Sequence, residues 1–187
     1  MRGADKPSLP VAGRPMLHRV LAAVADAVPR VVVGPYRDGL PPDVRQVREE
    51  PPGTGPVAAI AAGLSALPPG VETVAVLAGD LPFLTGEVVD ALREGLAQST
   101  VDGAVLADGS GRAQLLCAVW KVSALRDALV ALGDPAGQSV RRLVAGLRLA
   151  GDAGTTRDAG PVLGPVPPPW YDCDTEDDLR QAEEWSR

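Results

Sequence analysis

An α/β domain built on a mostly parallel sheet is the architecture expected of this 187-residue chain. Apolar runs of strand length alternate with runs of helical period, the mark of repeated strand–helix units. One strand run, Thr73-Val74-Ala75-Val76-Leu77-Ala78-Gly79, is apolar without a break, as a central strand covered on both faces must be. No internal repeat interrupts the alternation, and no linker is long enough to separate a second domain. Residues 1–187 therefore read as one domain.

The elements follow in order. Leu17, Val20, Leu21 and Val24 fall on one face of a helix over Pro15 to Val28. Arg30 to Gly34 is a short buried strand closed by Gly34-Pro35, and Val44 to Arg48 is a second strand. A loop, Pro51 to Pro56, precedes a small-residue helix over Val57 to Leu67. The apolar run Thr73–Gly79 ends at Asp80, and Thr85 is placed to cap a helix reaching Gln98. Gly103 to Ala107 and Ala113 to Trp120 are strands, followed by helices over Ser123–Leu132 and Ser139–Leu147. Pro161 to Pro169 forms an extended loop before a strand over Trp170 to Asp174. Thr175 caps the last helix, with Asp177 and Asp178 in the first turn, where the helix dipole favours carboxylates.

Composition excludes several classes of function. Two distant cysteines, Cys117 and Cys173, build neither a disulfide framework nor a zinc site, and a single histidine, His18, excludes a multi-histidine metal site. A net charge of −6 with no basic cluster argues against nucleic acid and anionic membrane as partners. No apolar window of ~18 residues exists, and the start lacks the core of a signal peptide. The expected location is cytoplasmic. Of 18 basic residues only Lys6 and Lys121 are lysines, so a lysine in a motif is less readily an accident here.

Four motifs carry chemistry. Gly3-Ala4-Asp5-Lys6-Pro7 is a flexible lysine-bearing loop ahead of a helix, suited to polyphosphate. Glu49-Glu50-Pro51-Pro52-Gly53-Thr54-Gly55-Pro56 combines two glycines that allow close backbone approach with a proline suited to the first helical position. Leu77-Ala78-Gly79-Asp80-Leu81-Pro82-Phe83-Leu84 ends an apolar strand on a single carboxylate. Ligands of open α/β sheets bind beyond the carboxyl ends of strands, and a lone aspartate there is placed to hold Mg²⁺. In Asp172-Cys173-Asp174-Thr175 two acids stand two residues apart, so on a strand both point to one face. Like charges so placed repel unless a cation or a basic group sits between them.

In this order the motifs resemble those of the molybdenum cofactor guanylyltransferase group of nucleotidyltransferases, from Met1 to the C-terminal helix. The resemblance implies a three-layer, Rossmann-like fold, GTP and molybdopterin as substrates, Mg²⁺ as cofactor, and transfer of GMP with release of pyrophosphate. It implies transient contact with molybdoenzymes or their chaperones as well. By position, Lys6 contacts the nucleotide phosphates and Asp80 binds the metal, both as catalytic residues. Glu50, Gly53, Gly55 and Pro56 lie against the nucleotide, Glu50 standing where the family more often has aspartate. Asp172 and Asp174 match positions near the acceptor phosphate. Two alternatives remain at this level: cytidylyl transfer or transfer to another phosphorylated acceptor, and a non-catalytic nucleotide- or partner-binding relic. The family begins with an apolar strand and a Leu-Ala-Gly-Gly loop ahead of the methionine matched by Met1. The expectation is that this central strand and loop, ~15–20 residues, are missing, which leaves a void in the sheet.

Overall fold

Asp108-Gly109-Ser110-Gly111-Arg112 turns the chain back on itself. The Asp108 carboxylate accepts hydrogen bonds from the Ser110 and Arg112 amides at 2.9 and 3.0 Å, and Gly111 takes φ +85°, a value suited to glycine. This hairpin joins β6 (Gly103–Ala107) to β7 (Ala113–Lys121), the longest strand. The computed structural model describes residues 5–150 and 167–187.

A 3-10 turn, Lys6–Ser8, leads through the paired two-residue strands β1 (Pro10–Val11) and β2 (Arg14–Pro15) into α1 (Met16–Ala23). Strands β3 (Arg30–Val33) and β4 (Val44–Val47) precede α2 (Pro56–Ser65), β5 (Thr73–Leu77) and α3 (Gly86–Ala97). After the hairpin come α4 (Val122–Leu132), α5 (Val140–Leu143), β8 (Leu149–Ala150) and α6 (Glu176–Trp185). Alternating side chains of β6 and β7 serve two layers. Val105, Ala118 and Trp120 pack with α2, α4 and α5, whereas Ala104, Cys117 and Val119 pack with α1 and α3. The result is the expected three-layer α/β arrangement. No helix among the described residues is long and apolar enough to cross a membrane.

Several expectations are corrected. The sheet is mixed rather than mostly parallel: β5–β7 and β6–β7 are antiparallel, β3–β4 and β6–β8 parallel. A five-residue connection between β6 and β7 permits only the antiparallel pairing. The first helix stops at Ala23 rather than Val28, ahead of Pro29, and α5 covers one turn of the longer helix expected. Thr85 occupies its cap position without a side-chain hydrogen bond. Trp170–Asp174 forms no ladder: Trp170 lies in a turn closed by the Tyr171 amide on the Pro168 carbonyl, and Tyr171–Asp174 has no regular structure. Of the proline-rich loop, 161–166 lie outside the described residues.

The largest departure concerns β5. It ends the order β5-β7-β6-β8, and Val74 to Leu77 are only half-buried, not covered on both faces. An apolar cavity of about 380 Å³ separates it from β3, walled by Val31 and Val33 on one side and Val74 and Val76 on the other. Leu21 of α1 and Ile60 of α2 also line it. Among the described residues no strand pairs with the facing edges of β3 and β5. Because such a void forfeits contacts on every wall, Ala59→Leu on the α2 wall should raise stability by about 1–2 kcal/mol. Urea melts of the two chains check this, and a lowered midpoint would mean that the wall cannot accept the longer side chain.

Candidate active site

The residues ahead of α1 reach the ends of both inner strands. Arg37, four residues past β3, donates from Nε to the Asp5 carboxylate at 3.0 Å. Its guanidinium holds that carboxyl below the usual range, and the Ser8 hydroxyl adds a second donor. Pro7 meets the chain just past β5. A Cβ built on Gly79 would stand 3.2 Å from Pro7 Cβ and Cγ, tighter than an ordinary contact, so any other residue would push the turn back by a few tenths of an ångström. Residues 5–7 thus bridge the carboxyl ends of β3 and β5, which places those ends on one side and makes the two strands parallel across the cavity.

Three of the motifs converge there. Asp80 follows Gly79 and is half-buried. Burial is the main cause that raises its pKa; Asp172 and Asp174 push the same way, and Lys6 opposes them. Lys6 Nζ donates to Asp174 Oδ1 at 2.5 Å, across 168 residues of sequence. That contact, helped by the charges of Asp80 and Asp172, raises the lysine pKa. Asp172 and Asp174 are exposed on either side of the fully buried Cys173. They therefore keep the one-sided placement expected of strand residues, although the ladder is absent. Burial, together with the surrounding carboxylates, pushes the Cys173 thiol up to about 11, so it is no ready thiolate.

The acidic pair is held by α6. Thr175 and Asp178 form a capping box, with the Asp178 amide donating to Thr175 Oγ1 at 3.1 Å and the Thr175 amide donating to the Asp178 carboxylate at 2.7 Å. The Ala12 amide donates to Glu183 Oε1 at 2.8 Å, which ties α6 to the β1–β2 turn.

The glycine motif lies in the loop from β4 to α2. Gly55 caps α2 at φ +100° and ψ −179°, a conformation essentially restricted to glycine. Gly53 also has positive φ, and its amide donates to the Glu49 carboxylate at 2.8 Å. The Gly137 amide donates to the Thr54 carbonyl at 2.8 Å and fixes the loop from the far side. Pro56 takes the first turn of α2 and lines the same cavity as Pro7 and Gly79. Glu50 is exposed in this loop and stands outside the Lys6–Asp80–Asp172–Asp174 group.

Sequence reading missed Arg37 and Glu49. Arg37 carried one usable signal, its place just past the carboxyl end of an apolar strand. Glu49 carried none beyond standing beside Glu50. Among the described residues no group of three or more His, Cys, Asp or Glu closes into a metal site. A cation here would take one or two carboxylates and fill its shell with ligand oxygens, which is the habit of Mg²⁺ beside phosphates. The charge pattern fits such an ion, since three carboxylates face a single lysine.

Comparison with known proteins identifies the family and the fold. The chain is 29% identical over 196 residues to the molybdenum cofactor guanylyltransferase of Bradyrhizobium sp. (strain ORS 278), covering 98% of this chain and 85% of that protein. A nucleotidyl transferase from Methanothermobacter thermautotroptrophicus superimposes with a TM-score of 0.68 at 24% identity, over 97% of this chain and 85% of the other. Molybdopterin-guanine dinucleotide biosynthesis protein A from Archaeoglobus fulgidus gives a TM-score of 0.66 at 19% identity, covering 97% and 90%. These two share the Rossmann-like nucleotidyltransferase fold. The model of the MobA-like NTP transferase domain matches residues 1–153, most of the chain, and the protein belongs to that family.

Proposed function

We propose that the protein transfers GMP from GTP to the phosphate of molybdopterin and releases pyrophosphate. The observation that carries the reading is the meeting of Lys6 with Asp80, Asp172 and Asp174 at the carboxyl end of β5. Relatives named molybdenum cofactor guanylyltransferase that align along nearly the whole chain support the choice of base and acceptor.

In this reading an acceptor phosphate oxygen forms a bond to the α-phosphorus, while the bond to the bridging oxygen breaks and pyrophosphate leaves with the electron pair. No protein nucleophile is needed; positioning and charge neutralisation do the work. Lys6 exchanges its bond with Asp174 for phosphate oxygens. Gly53 and Gly55 keep side chains away from the nucleotide, Pro56 presents the start of α2 to it, and Glu50 faces it from the same loop. Asp80 would hold Mg²⁺, which when bound neutralises developing phosphate charge. Asp172 and Asp174 orient the acceptor.

Pyrophosphate release should require molybdopterin and run faster with GTP than with CTP. Equal or greater rates with CTP would transfer the base assignment to cytidine, and no release with either would overturn the reading. Replacing both Asp172 and Asp174 with Ala should raise the acceptor KM about tenfold while moving the GTP KM less, since the lost contacts face the acceptor. A larger change for GTP would put the pair at the other end of the site.

A further inference from the structure

The segment that carries Asp172 and Asp174 has no ladder to hold it, so something else must set its distance from Asp80. The only phenylalanine of the chain, Phe83, stands three residues past Asp80. Tyr171 stands one residue before Asp172, and Trp185 ends α6. Their rings form a closed triangle: Tyr171 to Trp185 at 4.9 Å, Phe83 to Trp185 at 5.9 Å and Phe83 to Tyr171 at 6.2 Å, all tilted or edge-on. Such pairs add about 0.5–1.5 kcal/mol each beyond the area they bury. The Tyr171 hydroxyl also donates to the Asp178 carbonyl at 3.1 Å, which fastens the ring to α6.

Trp185 is the member that a core does not explain. It is 43% exposed, one of few large apolar side chains in the described residues left so open. The helix that bears it is already anchored by buried Ala182, by Leu179 and by the Glu183 contact with Ala12. What Trp185 adds is contact with both rings at once, one beside the metal-side acid and the other beside the acceptor-side pair.

We propose that Trp185 is a positioning residue, which with Phe83 and Tyr171 clasps the Asp172–Asp174 segment at a set distance from Asp80. The clasp rests on the reading of those carboxylates as the metal and acceptor site. It acts through the acids and touches neither substrate nor metal.

Mn²⁺ binding, followed by the free-ion electron paramagnetic resonance signal, tests it without turnover. Trp185→Ala should weaken Mn²⁺ binding about tenfold, the lower end of what loss of a supporting contact costs a metal site. The same variant should raise the acceptor KM by a similar factor and leave the GTP KM within about twofold. Trp185→Phe, which keeps a ring in the triangle, should restore both. Phe83→Leu breaks the triangle from the opposite side and should reproduce the Trp185→Ala pattern, which keeps the test valid if Trp185→Ala folds poorly. Wild-type Mn²⁺ affinity in both Trp185→Ala and Phe83→Leu, or equal rises in both KM values, would overturn the clasp. A wild-type chain that takes up no Mn²⁺ would instead overturn the metal-site reading and the clasp with it.

Discussion

Asp80→Asn should abolish Mg²⁺-dependent turnover and at the same time stabilise the folded chain at neutral pH. The first effect follows from charge: a neutral amide is a poor ligand, and a metal at a developing phosphate charge contributes several kcal/mol, or about 10³-fold in rate. The second follows from the raised pKa of the half-buried carboxyl. A folded-state pKa above the unfolded value of 3.8 means that protonated Asp80 favours the fold. That favour is fully present below the unfolded value and is lost as pH rises through the folded one. Above that window the wild-type chain keeps an ionised carboxylate where burial and two neighbouring acids oppose it. Asparagine has nothing to ionise, so the stability difference should be small in acid, grow as pH rises and then level off. A gain of about 0.5–2 kcal/mol is the usual range for a single stabilising change. Urea melts across pH beside pyrophosphate release check both halves. Near-normal activity would place the metal elsewhere, and a less stable variant would refute the charge argument.

Gly103→Val should be the most damaging single change outside the site. Gly103 pairs with Trp120 across β6 and β7, and a Cβ on Gly103 would lie 2.3 Å from Trp120 Cε3 and 2.6 Å from Cζ3. Trp120 is 1% exposed and packed against α2, α4 and α5, so the ring has nowhere to go. Overpacking of this kind costs about 3 kcal/mol or more. In a chain of this size that lowers Tm by about 6–12 °C. Thermal melts measure it, and Trp120→Leu in the same chain should recover some of the loss, because the two residues share one space. Additive losses in the double variant would show that the damage comes from strand backbone rather than from the clash.

The strand runs and the Thr175 cap were legible because each is local, whereas the hairpin at Asp108–Arg112, local as its turn is, went unread under the expectation of a parallel sheet. β-Branched runs, a glycine turn and a capping box act within a few residues and leave their pattern in sequence. Asp80 was legible for the same reason, as a lone acid ending an apolar run. The contacts that assemble the site are not local: Lys6 with Asp174, Arg37 with Asp5 and Gly103 with Trp120 join residues 168, 32 and 17 apart. No periodicity reports such pairs. The half-buried state of β5 was hidden too, because an apolar run looks the same whether a strand or a cavity lies beside it. The irregular path of Trp170–Asp174 escaped for a further reason, since Asp172, Cys173 and Asp174 alternate exposed, buried and exposed as they would on a strand.

The cavity between β3 and β5 also divides the molecule mechanically. The β3–β4 pair shares no ladder with the four-stranded sheet among the described residues, so backbone hydrogen bonds do not couple the two. Side-chain packing through α1 and α2 and the Arg37–Asp5 ion pair carry the connection instead. The glycine loop leaves the end of β4 but is held on its other side by the Gly137 amide and by α2, which packs on the larger body, and Asp80 stands at the end of β5. Two bodies joined by packing rather than by ladder are cooperative units of unequal stability. Amides along the facing edge of β3 should then exchange with solvent far sooner than those of β7, although both lie inside the fold.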